Sequence, residues 1–129
     1  MGKTEQSRNM EDLEFEIHFF KELINEKADF VDALIPLAEA YTKAGRYLEG
    51  LRVDKQLAQL LPYDCVVHYN LACSYTLLDK IDEAFRALSK AIKLGYGDFR
   101  YMGLDPDLAK LRDDKRYKEL INRKQKKRG

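Results

Sequence analysis

Two consecutive stretches decide the fold: VDALIPLAEAYTKAGRYLEGLRVDKQLAQLLPYD, residues 31–64, and CVVHYNLACSYTLLDKIDEAFRALSKAIKLGYGD, residues 65–98. When the first is laid over the second so that Val31 meets Cys65, identical residues coincide along both. The coinciding pairs are Leu37 and Leu71, Ala38 and Ala72, Tyr41 and Tyr75, Thr42 and Thr76, Glu49 and Glu83, Arg52 and Arg86, Leu60 and Leu94, and Asp64 and Asp98. Self-similarity at a fixed period of about 20–50 residues is typical of repeat architectures. The sequence therefore predicts an internal duplication of one packing unit, and we call the shift from Val31 to Cys65 the repeat period.

The duplicated units resemble tetratricopeptide repeats (TPR), which are helix–turn–helix units of about 34 residues. The resemblance rests on large and small apolar residues at particular positions of each unit, and on Pro62 near the end of the first. In the first unit these residues are Leu34, Leu37, Ala38, Tyr41, Gly45, Tyr47, Gly50 and Leu60, and in the second they are Leu71, Ala72, Tyr75, Ile81, Ala84, Leu88, Ala91 and Leu94. The resemblance implies an all-α fold: a right-handed helical-hairpin solenoid with two full TPR units, an N-terminal helix and a C-terminal helical cap.

Composition agrees with a folded helical chain. The 129 residues are 45% hydrophobic and 35% charged, which excludes disorder throughout. No apolar run approaches the roughly 18 residues that a membrane-spanning helix needs, and the first ten residues are too polar for a signal peptide. Cys65 and Cys73 lie on one predicted helix, too far apart for a disulfide. Reduced thiols favour a reducing compartment, so we expect a cytoplasmic protein.

The chain divides into one predicted domain and two tails. Residues 1–9 lack periodicity and are predicted to form a mobile tail. Residues 10–122 are predicted to form a single domain, with repeats at 31–64 and 65–98 and a helical cap at 99–122. Residues 123–129 form a basic tail, whose cations are Arg123, Lys124, Lys126, Lys127 and Arg128. Because the net charge is only +1, the rest of the chain is acidic.

Apolar residues at helical spacing predict an N-terminal helix over residues 11–27. One stripe holds Leu13, Ile17, Phe20 and Ile24, with Leu23 at its edge. Phe15 and Phe19 lie off this stripe. Two interpretations stay open: the two rings fold over the core of a capping helix, or they form a self-association face, because exposed aromatic patches usually mark contacts.

Particular residues predict where the later helices begin. Asp29 is expected to cap the helix that follows it, and Pro36 is expected to bend that helix or loosen its first turn. Asp105 followed by Pro106 predicts the start of a short helix, because aspartate is a good N-cap and proline suits the first helical position.

Glycine marks two further positions in the first unit. Gly45 is expected to supply its turn, and Asp79 holds the same place in the second unit. Gly50 is expected where the two helices of the first unit cross most closely, since a residue without a Cβ permits a close approach there.

No catalytic constellation is visible in the sequence, so we expect a protein that is not an enzyme and needs no cofactor. His68 occupies a packing position of its repeat and is predicted to be a buried structural imidazole. Cys65, His68 and Cys73 do not converge on one side of a helix, as a zinc site requires, so no metal site is predicted.

The resemblance implies a partner-binding groove along the first helix of each unit. Its residues would be Asp32, Ile35, Glu39, Thr42, Lys43, Val66, Tyr69, Asn70, Cys73, Thr76, Leu77, Arg100 and Tyr101. Such a groove is apolar with an acidic lip, so it should prefer a helix or extended peptide with apolar anchors and a basic residue. The alternative is that two units make a groove too short for a partner, and that the protein's own termini fill it.

These observations predict a non-enzymatic scaffold that binds a partner protein through the groove. A second hypothesis is a structural homo-oligomer, a weak homodimer in the simplest case, that assembles through Phe15 and Phe19. A third is an accessory factor of a nucleic-acid complex that acts through the basic tail. A tail without interleaved aromatic residues does not favour nucleic acid, and we expect it to be solvated.

Overall fold

The computed structural model describes the backbone of residues 5–128 and the side chains of residues 9–123. Its regular structure over these residues is helical, which confirms the all-α prediction. The α-helices are α1 (Glu5–Glu26), α2 (Val31–Lys43), α3 (Tyr47–Leu60), α4 (Cys65–Leu77), α5 (Ile81–Lys93), α6 (Phe99–Met102), α7 (Ala109–Arg112) and α8 (Lys115–Arg128). A 3₁₀ turn, Pro106–Leu108, precedes α7.

Contacts group the helices into two compact units. Unit 1 ends at Leu60 and contains α1, α2 and α3, and unit 2 begins at Leu61 and contains α4 to α8. In unit 1, α2 packs against both α1 and α3. In unit 2, α4 packs against α5 and against the 3₁₀ turn.

The core of unit 1 forms where the predicted apolar stripe of α1 meets α2. Ile17 is buried, and its stripe neighbours Leu13, Phe20 and Ile24 are half-buried, which confirms the stripe. The inner face of α2 contributes buried side chains, namely Ala33, Leu34, Leu37, Ala38, Ala40 and Tyr41. α3 closes the core with Leu51, Val53 and Leu57.

Arg46 ties the three helices of unit 1 together. Its guanidinium donates to both carboxylate oxygens of Glu49, at 2.7 and 2.6 Å, and lies 3.4 Å from a carboxylate oxygen of Glu14 on α1. The same group sits 4.9 Å from the centroid of the Tyr41 ring, a cation–π contact. The hydrogen bond from Arg46 holds the pKa of the Glu49 carboxyl below its ordinary value.

Helix boundaries and turn bonds recur at the predicted repeat period. α2 begins at Val31 and ends at Lys43, and α4 begins and ends one repeat period later, at Cys65 and Leu77. The start of α5 likewise lies one repeat period after the start of α3. In unit 1 the amide of Arg46 donates to the carbonyl of Tyr41 at 2.8 Å, and in unit 2 the amide of Lys80 donates to the carbonyl of Tyr75 at 2.9 Å. The two units therefore share one local hairpin geometry.

The turn of each hairpin needs a residue in the left-handed region. Gly45 has φ 76° and Asp79 has φ 61°, which confirms that Asp79 takes the position Gly45 holds in unit 1. Aspartate tolerates this conformation better than most residues with a Cβ. A Cβ built on Gly45 would meet no atom within 4 Å, so only the backbone conformation favours glycine there.

Gly50 lies at the close crossing of α2 and α3, as predicted. A Cβ at this position would sit 3.2 Å from Oγ1 of Thr42 and 3.6 Å from Cβ of Tyr41. Ala84 occupies the same place in unit 2 and is fully buried. The unit 2 hairpin therefore accommodates the Cβ that unit 1 lacks.

Several local predictions differ from the structure. α1 begins at Glu5, so residues 5–9 of the predicted tail are helical, and residues 1–4 lie outside the described residues. The N-cap of α2 is Phe30, not Asp29, and no side chain caps it. α2 continues through Pro36 to Lys43. The backbone of α8 is helical to Arg128, although side chains beyond Arg123 lie outside the described set.

The segment after α5 folds back onto α4. Asp105 caps the 3₁₀ turn by accepting a hydrogen bond from the amide of Asp107 at 3.0 Å, and Pro106 takes the first helical position, as predicted. The guanidinium of Arg112 donates to the carbonyls of Met102 and Asp105 at 2.8 and 2.7 Å. Met102, Leu108 and Leu111, which belong to this segment, are fully buried. We call residues 96–112 the cap segment.

Candidate functional site

Five of the predicted groove residues lie on α2, and four of them share its exposed outer face. Ile35 is 37% exposed, and Asp32, Glu39 and Lys43 are exposed. Their spacing of three and four residues places these four on one side of the helix. Thr42 is different, because it is half-buried and its hydroxyl donates to the carbonyl of Ala38 at 3.1 Å.

This face combines one apolar side chain with two carboxylates. Asp32 lies one turn before Ile35, and Glu39 lies one turn after it. Carboxylates on both sides of an exposed isoleucine favour a ligand that offers an apolar anchor and a cation. Lys43, at the last turn, lies where a cation stabilises the helix dipole. We call Asp32, Ile35 and Glu39 the α2 face.

Several of the equivalent positions of α4 are buried. Tyr69 is 4% exposed, and Cys73 and Thr76 are also buried. These three residues were expected in an open groove, and Tyr69 and Cys73 differ from that expectation because the cap segment lies over them. The hydroxyl of Thr76 donates to the carbonyl of Ala72 at 2.7 Å, so its role is internal to the helix.

Tyr69 is held by the cap segment through its ring and its hydroxyl. The hydroxyl donates to Oδ2 of Asp105 at 2.6 Å. The ring stacks on Tyr96, with centroids 4.2 Å apart and an angle of 5° between the planes, and Tyr101 approaches to 6.3 Å. Burial, and then the hydrogen bond to Asp105, raise the pKa of the Tyr69 hydroxyl above its ordinary value.

Asp105 is the polar centre of this contact. Its carboxylate is 4% exposed and accepts from Tyr69, from the amide of Asp107 and from the thiol of Cys73, whose Sγ lies 3.8 Å away. A buried carboxylate is stable when several donors surround it, as here. The segment that covers α4 is internal to the chain, so it is not one of the termini that the alternative places in the groove, and α2 has an exposed face.

The remaining predicted groove residues are dispersed within unit 2, whereas the α2 face belongs to unit 1. Val66, at the start of α4, is exposed, and Asn70 and Leu77 are half-buried. Arg100 and Tyr101 lie on α6 and are exposed, although the Tyr101 ring also approaches Tyr69. The candidate site is therefore the α2 face alone.

The two aromatic residues predicted as an oligomer face point away from the core. Phe15 is 72% exposed and Phe19 is 50% exposed. Phe19 meets Phe20 edge-on, with ring centroids 5.3 Å apart. Because both rings are solvent-facing, the interpretation in which they fold over the core does not describe this structure.

His68, Cys65 and Cys73, the residues considered for a metal site, lie in unit 2. His68 is buried, as predicted, and its Nε2 lies 2.8 Å from the carbonyl oxygen of Pro62. Cys65 and Cys73 are both thiols that form no disulfide. Within the described residues, no three histidine, cysteine, aspartate or glutamate side chains come together in a way that could hold a metal ion.

The structure has an open groove beside α5 that the sequence analysis did not predict. It has a volume of about 710 Å³ and is lined by Arg116 of α8, by Leu94 directly after α5, and by six residues of α5, namely Asp82, Phe85, Arg86, Ser89, Lys90 and Lys93. Arg116 donates to Asp82 at 2.8 Å and stacks over the Phe85 ring at 4.6 Å. The sequence did contain an indication of this groove, because Arg86, Lys90 and Lys93 are spaced so that they lie along one side of α5.

The chain shows limited similarity to known proteins. No family model matches it. It is similar to a chloroplastic protein of Arabidopsis thaliana, with 34% identity over 84 residues. The match covers 63% of this chain and 25% of that protein, so the chain spans about a quarter of its relative's length. Across the residues that the structure describes, no helix has the length and apolar character needed to span a membrane.

Proposed function

We propose that this chain is a small TPR protein and acts as a non-enzymatic scaffold for a partner protein. The recurrence of helix boundaries at the repeat period supports the TPR assignment, together with the matching turn bonds of Arg46 and Lys80. The pair Gly50 and Ala84, at the crossing of each hairpin, supports it as well. In this proposal the two hairpins are consecutive repeats of a right-handed solenoid.

One observation carries the scaffold proposal: equivalent helices of the two repeats differ in what covers them. On α4 the cap segment covers Tyr69 and Cys73. On α2 the same positions are Ile35 and Glu39, and both are exposed. An exposed apolar side chain between carboxylates is suited to recognition, so partner binding is assigned to the α2 face.

The partner is a protein segment with an apolar side chain for Ile35 and a lysine or arginine for Asp32 and Glu39. A peptide that ends in a free carboxylate at this point would be repelled by the two acidic residues. Partner capture takes place in a reducing compartment, which the unbridged thiols favour, and the cytoplasm is our assignment. The relative's name places that protein in the chloroplast.

Site-specific photo-crosslinking in cells of the source organism tests this proposal. A photoreactive phenylalanine analogue at Ile35 should give a cross-linked product with a partner, and the same analogue at exposed Arg52 on α3 should not. Charge reversal of the face by Asp32→Lys and Glu39→Lys should abolish the product. The matched control is Asp113→Lys with Glu119→Lys, which changes the net charge equally at exposed positions elsewhere.

Two results would overturn the assignment to the α2 face. One is an identical set of products from positions 35 and 52. The other is a product from position 35 that survives reversal of both carboxylates. A product with the mass of two copies of this chain would replace partner capture by self-association.

Self-association is the second candidate function, and the exposure of Phe15 and Phe19 favours it. Two exposed rings on successive turns of one helix form an apolar patch, and burial of each ring in a contact removes about 150–250 Å² from water. Sedimentation of the wild-type protein between micromolar and millimolar concentration tests it. A single monomeric species throughout this range would exclude it. The nucleic-acid alternative depends on tail side chains that, apart from the exposed Arg123, lie outside the described set.

A further inference from the structure

The exposed face of α1 has a defined chemistry besides its two rings. Around Phe15 and Phe19 the same side of the helix carries exposed carboxylates at Glu11, Asp12, Glu16 and Glu22. This side lies opposite the stripe that Ile17 buries. The cation of Lys21 falls on a different side of the helix. The α1 outer face, as we call it, is thus an aromatic pair within a ring of negative charge.

A two-fold contact between two such faces is unfavourable. In an antiparallel pairing that places Phe15 against Phe19, Asp12 of one molecule comes beside Glu22 of the other. The two-fold axis repeats that like-charge pair on the other side of the contact. Opposed carboxylates at an interface cost free energy and select against the pairing. The face therefore requires a basic counterpart.

A basic counterpart is present in the same chain, in the groove beside α5. The groove offers cations on one side of α5 at Arg86, Lys90 and Lys93, and all three are exposed. Its apolar floor is formed by Phe85 and Leu94. The carboxylate of Asp82 in the lining is paired with Arg116 at 2.8 Å, and Arg86 lies 3.9 Å from a carboxylate oxygen of Glu83. Lys90 and Lys93 therefore supply most of the remaining positive charge of the groove.

We propose that the α1 outer face of one molecule docks into the α5 groove of a second molecule, head to tail. The proposal deepens the self-association candidate and rests on it, and it is independent of partner binding at the α2 face. Asp12, Glu16 and Phe19 repeat on α1 at the spacing at which Arg86, Lys90 and Lys93 repeat on α5. Two of these pairs join opposite charges, and the phenylalanines bring apolar surface to the floor. A contact of this kind uses two different surfaces, so it builds rings or open chains.

The decisive experiment mixes two variants, each of which lacks one surface. The first is Phe15→Ser with Phe19→Ser, which keeps the groove. The second is Lys90→Glu with Lys93→Glu, which keeps the α1 outer face. A third variant, Lys90→Ala with Lys93→Ala, guards against an effect of the introduced carboxylates at the end of α5. The matched control is Arg52→Glu with Lys55→Glu, two exposed cations at the same spacing on α3.

Sedimentation velocity, with circular dichroism to verify folding, gives the readout. We expect the wild type and the control to associate increasingly with concentration and to dissociate as salt is added. The Lys90→Ala, Lys93→Ala variant should weaken association by up to about fivefold, since the exposed charge pair between Glu16 and Lys90 is lost. The Lys90→Glu, Lys93→Glu variant should weaken it by about tenfold or more, because the introduced carboxylates also repel the α1 outer face. The two single-surface variants should remain monomeric alone and form a 1:1 dimer when mixed, because one intact copy of each surface is then present.

The other outcomes separate the two proposals. If the phenylalanine variant is monomeric while both lysine variants associate like wild type, self-association stands and the head-to-tail contact is overturned. If the mixture stays monomeric although wild type associates, the head-to-tail contact is likewise overturned. If wild type remains monomeric at millimolar concentration, both are overturned together.

Discussion

The hydroxyl of Tyr69 donates a 2.6 Å hydrogen bond to the buried carboxylate of Asp105, 36 residues further along the chain. This bond joins the first helix of the second hairpin to the cap segment. Around it, Tyr96 stacks on the Tyr69 ring and Arg112 holds the backbone of Asp105. The contact combines the two interactions that best fix a covering segment, namely a charge-assisted hydrogen bond and aromatic burial.

Removal of the Tyr69 hydroxyl should weaken unit 2. In Tyr69→Phe the ring still stacks, but Asp105 loses its shortest donor inside a buried site. Hydrogen bonds to charged groups contribute about 1.5–3 kcal/mol, so the free energy of unfolding should fall by that amount. Urea unfolding measures it. Tyr101→Phe is the matched control, because the Tyr101 side chain is exposed. Equal losses from both substitutions would contradict the role assigned to the bond.

The same tyrosine should make stability sensitive to alkaline pH. Burial and the bond to Asp105 raise the pKa of Tyr69 above its ordinary value of 10.0, so the folded state favours the neutral phenol. Its contribution is fully present below about pH 10 and is lost as the pH rises above that value. Unfolding free energies from about pH 8 to 11 should therefore decline less steeply in Tyr69→Phe than in wild type. An identical slope in Tyr69→Phe and wild type would contradict the prediction.

Gly50→Ala should stabilise unit 1. The new Cβ must displace Oγ1 of Thr42 by a few tenths of an ångström, and the hairpin of unit 2 accommodates Ala84 at the same place. Alanine is favoured over glycine within a helix by about 0.5–1 kcal/mol, which sets the expected gain. The reverse change, Ala84→Gly, should cost at least as much. Thermal unfolding of both variants measures the pair, and a loss of stability in Gly50→Ala would show that the crossing cannot relax.

The two hairpin turns should respond in opposite directions to substitution. Gly45→Ala forces a Cβ into the left-handed region and should cost about 1–2 kcal/mol, although no atom lies within 4 Å. Asp79→Gly removes a Cβ from that region and should stabilise by up to about 1 kcal/mol, because the exposed ion pair it gives up with Lys110 is worth less. Chemical denaturation of both variants is the measurement. Destabilisation by Asp79→Gly would mean that its contact with Lys110 outweighs the backbone preference.

The sequence predicted most of the repeated part of the molecule. The identities at the repeat period located α2 to α5, and the stripe of Leu13, Ile17 and Ile24 located the buried side of α1. These features depend on interactions within a few residues, which periodicity and turn chemistry encode. The prediction that Asp29 caps α2 was wrong, although it also relied on local sequence. Aspartate is a good capping residue, but the N-cap of the helix is Phe30.

The candidate site was predicted less completely, because two residues at equivalent positions of the repeat differ in their exposure to solvent. Ile35 and Tyr69 are equivalent in the repeat, and only the second is covered. What separates them is a carboxylate at Asp105 and a ring at Tyr96, both distant in sequence from Tyr69. No local pattern reports such a contact. The groove beside α5 was missed for a different reason, since a row of cations resembles an ordinary solvated helix face until its lining is known.

The burial of Cys73 under Asp105 has a practical consequence. The two thiols of α4 differ in solvent accessibility, since Cys65 is partly exposed and Cys73 is buried under the cap segment. An alkylating reagent should thus label Cys65 in the intact molecule and reach Cys73 only during moments when the cap segment lifts. The labelling rate of Cys73 then reports how often the cap segment opens, and mass spectrometry measures it without any engineered probe.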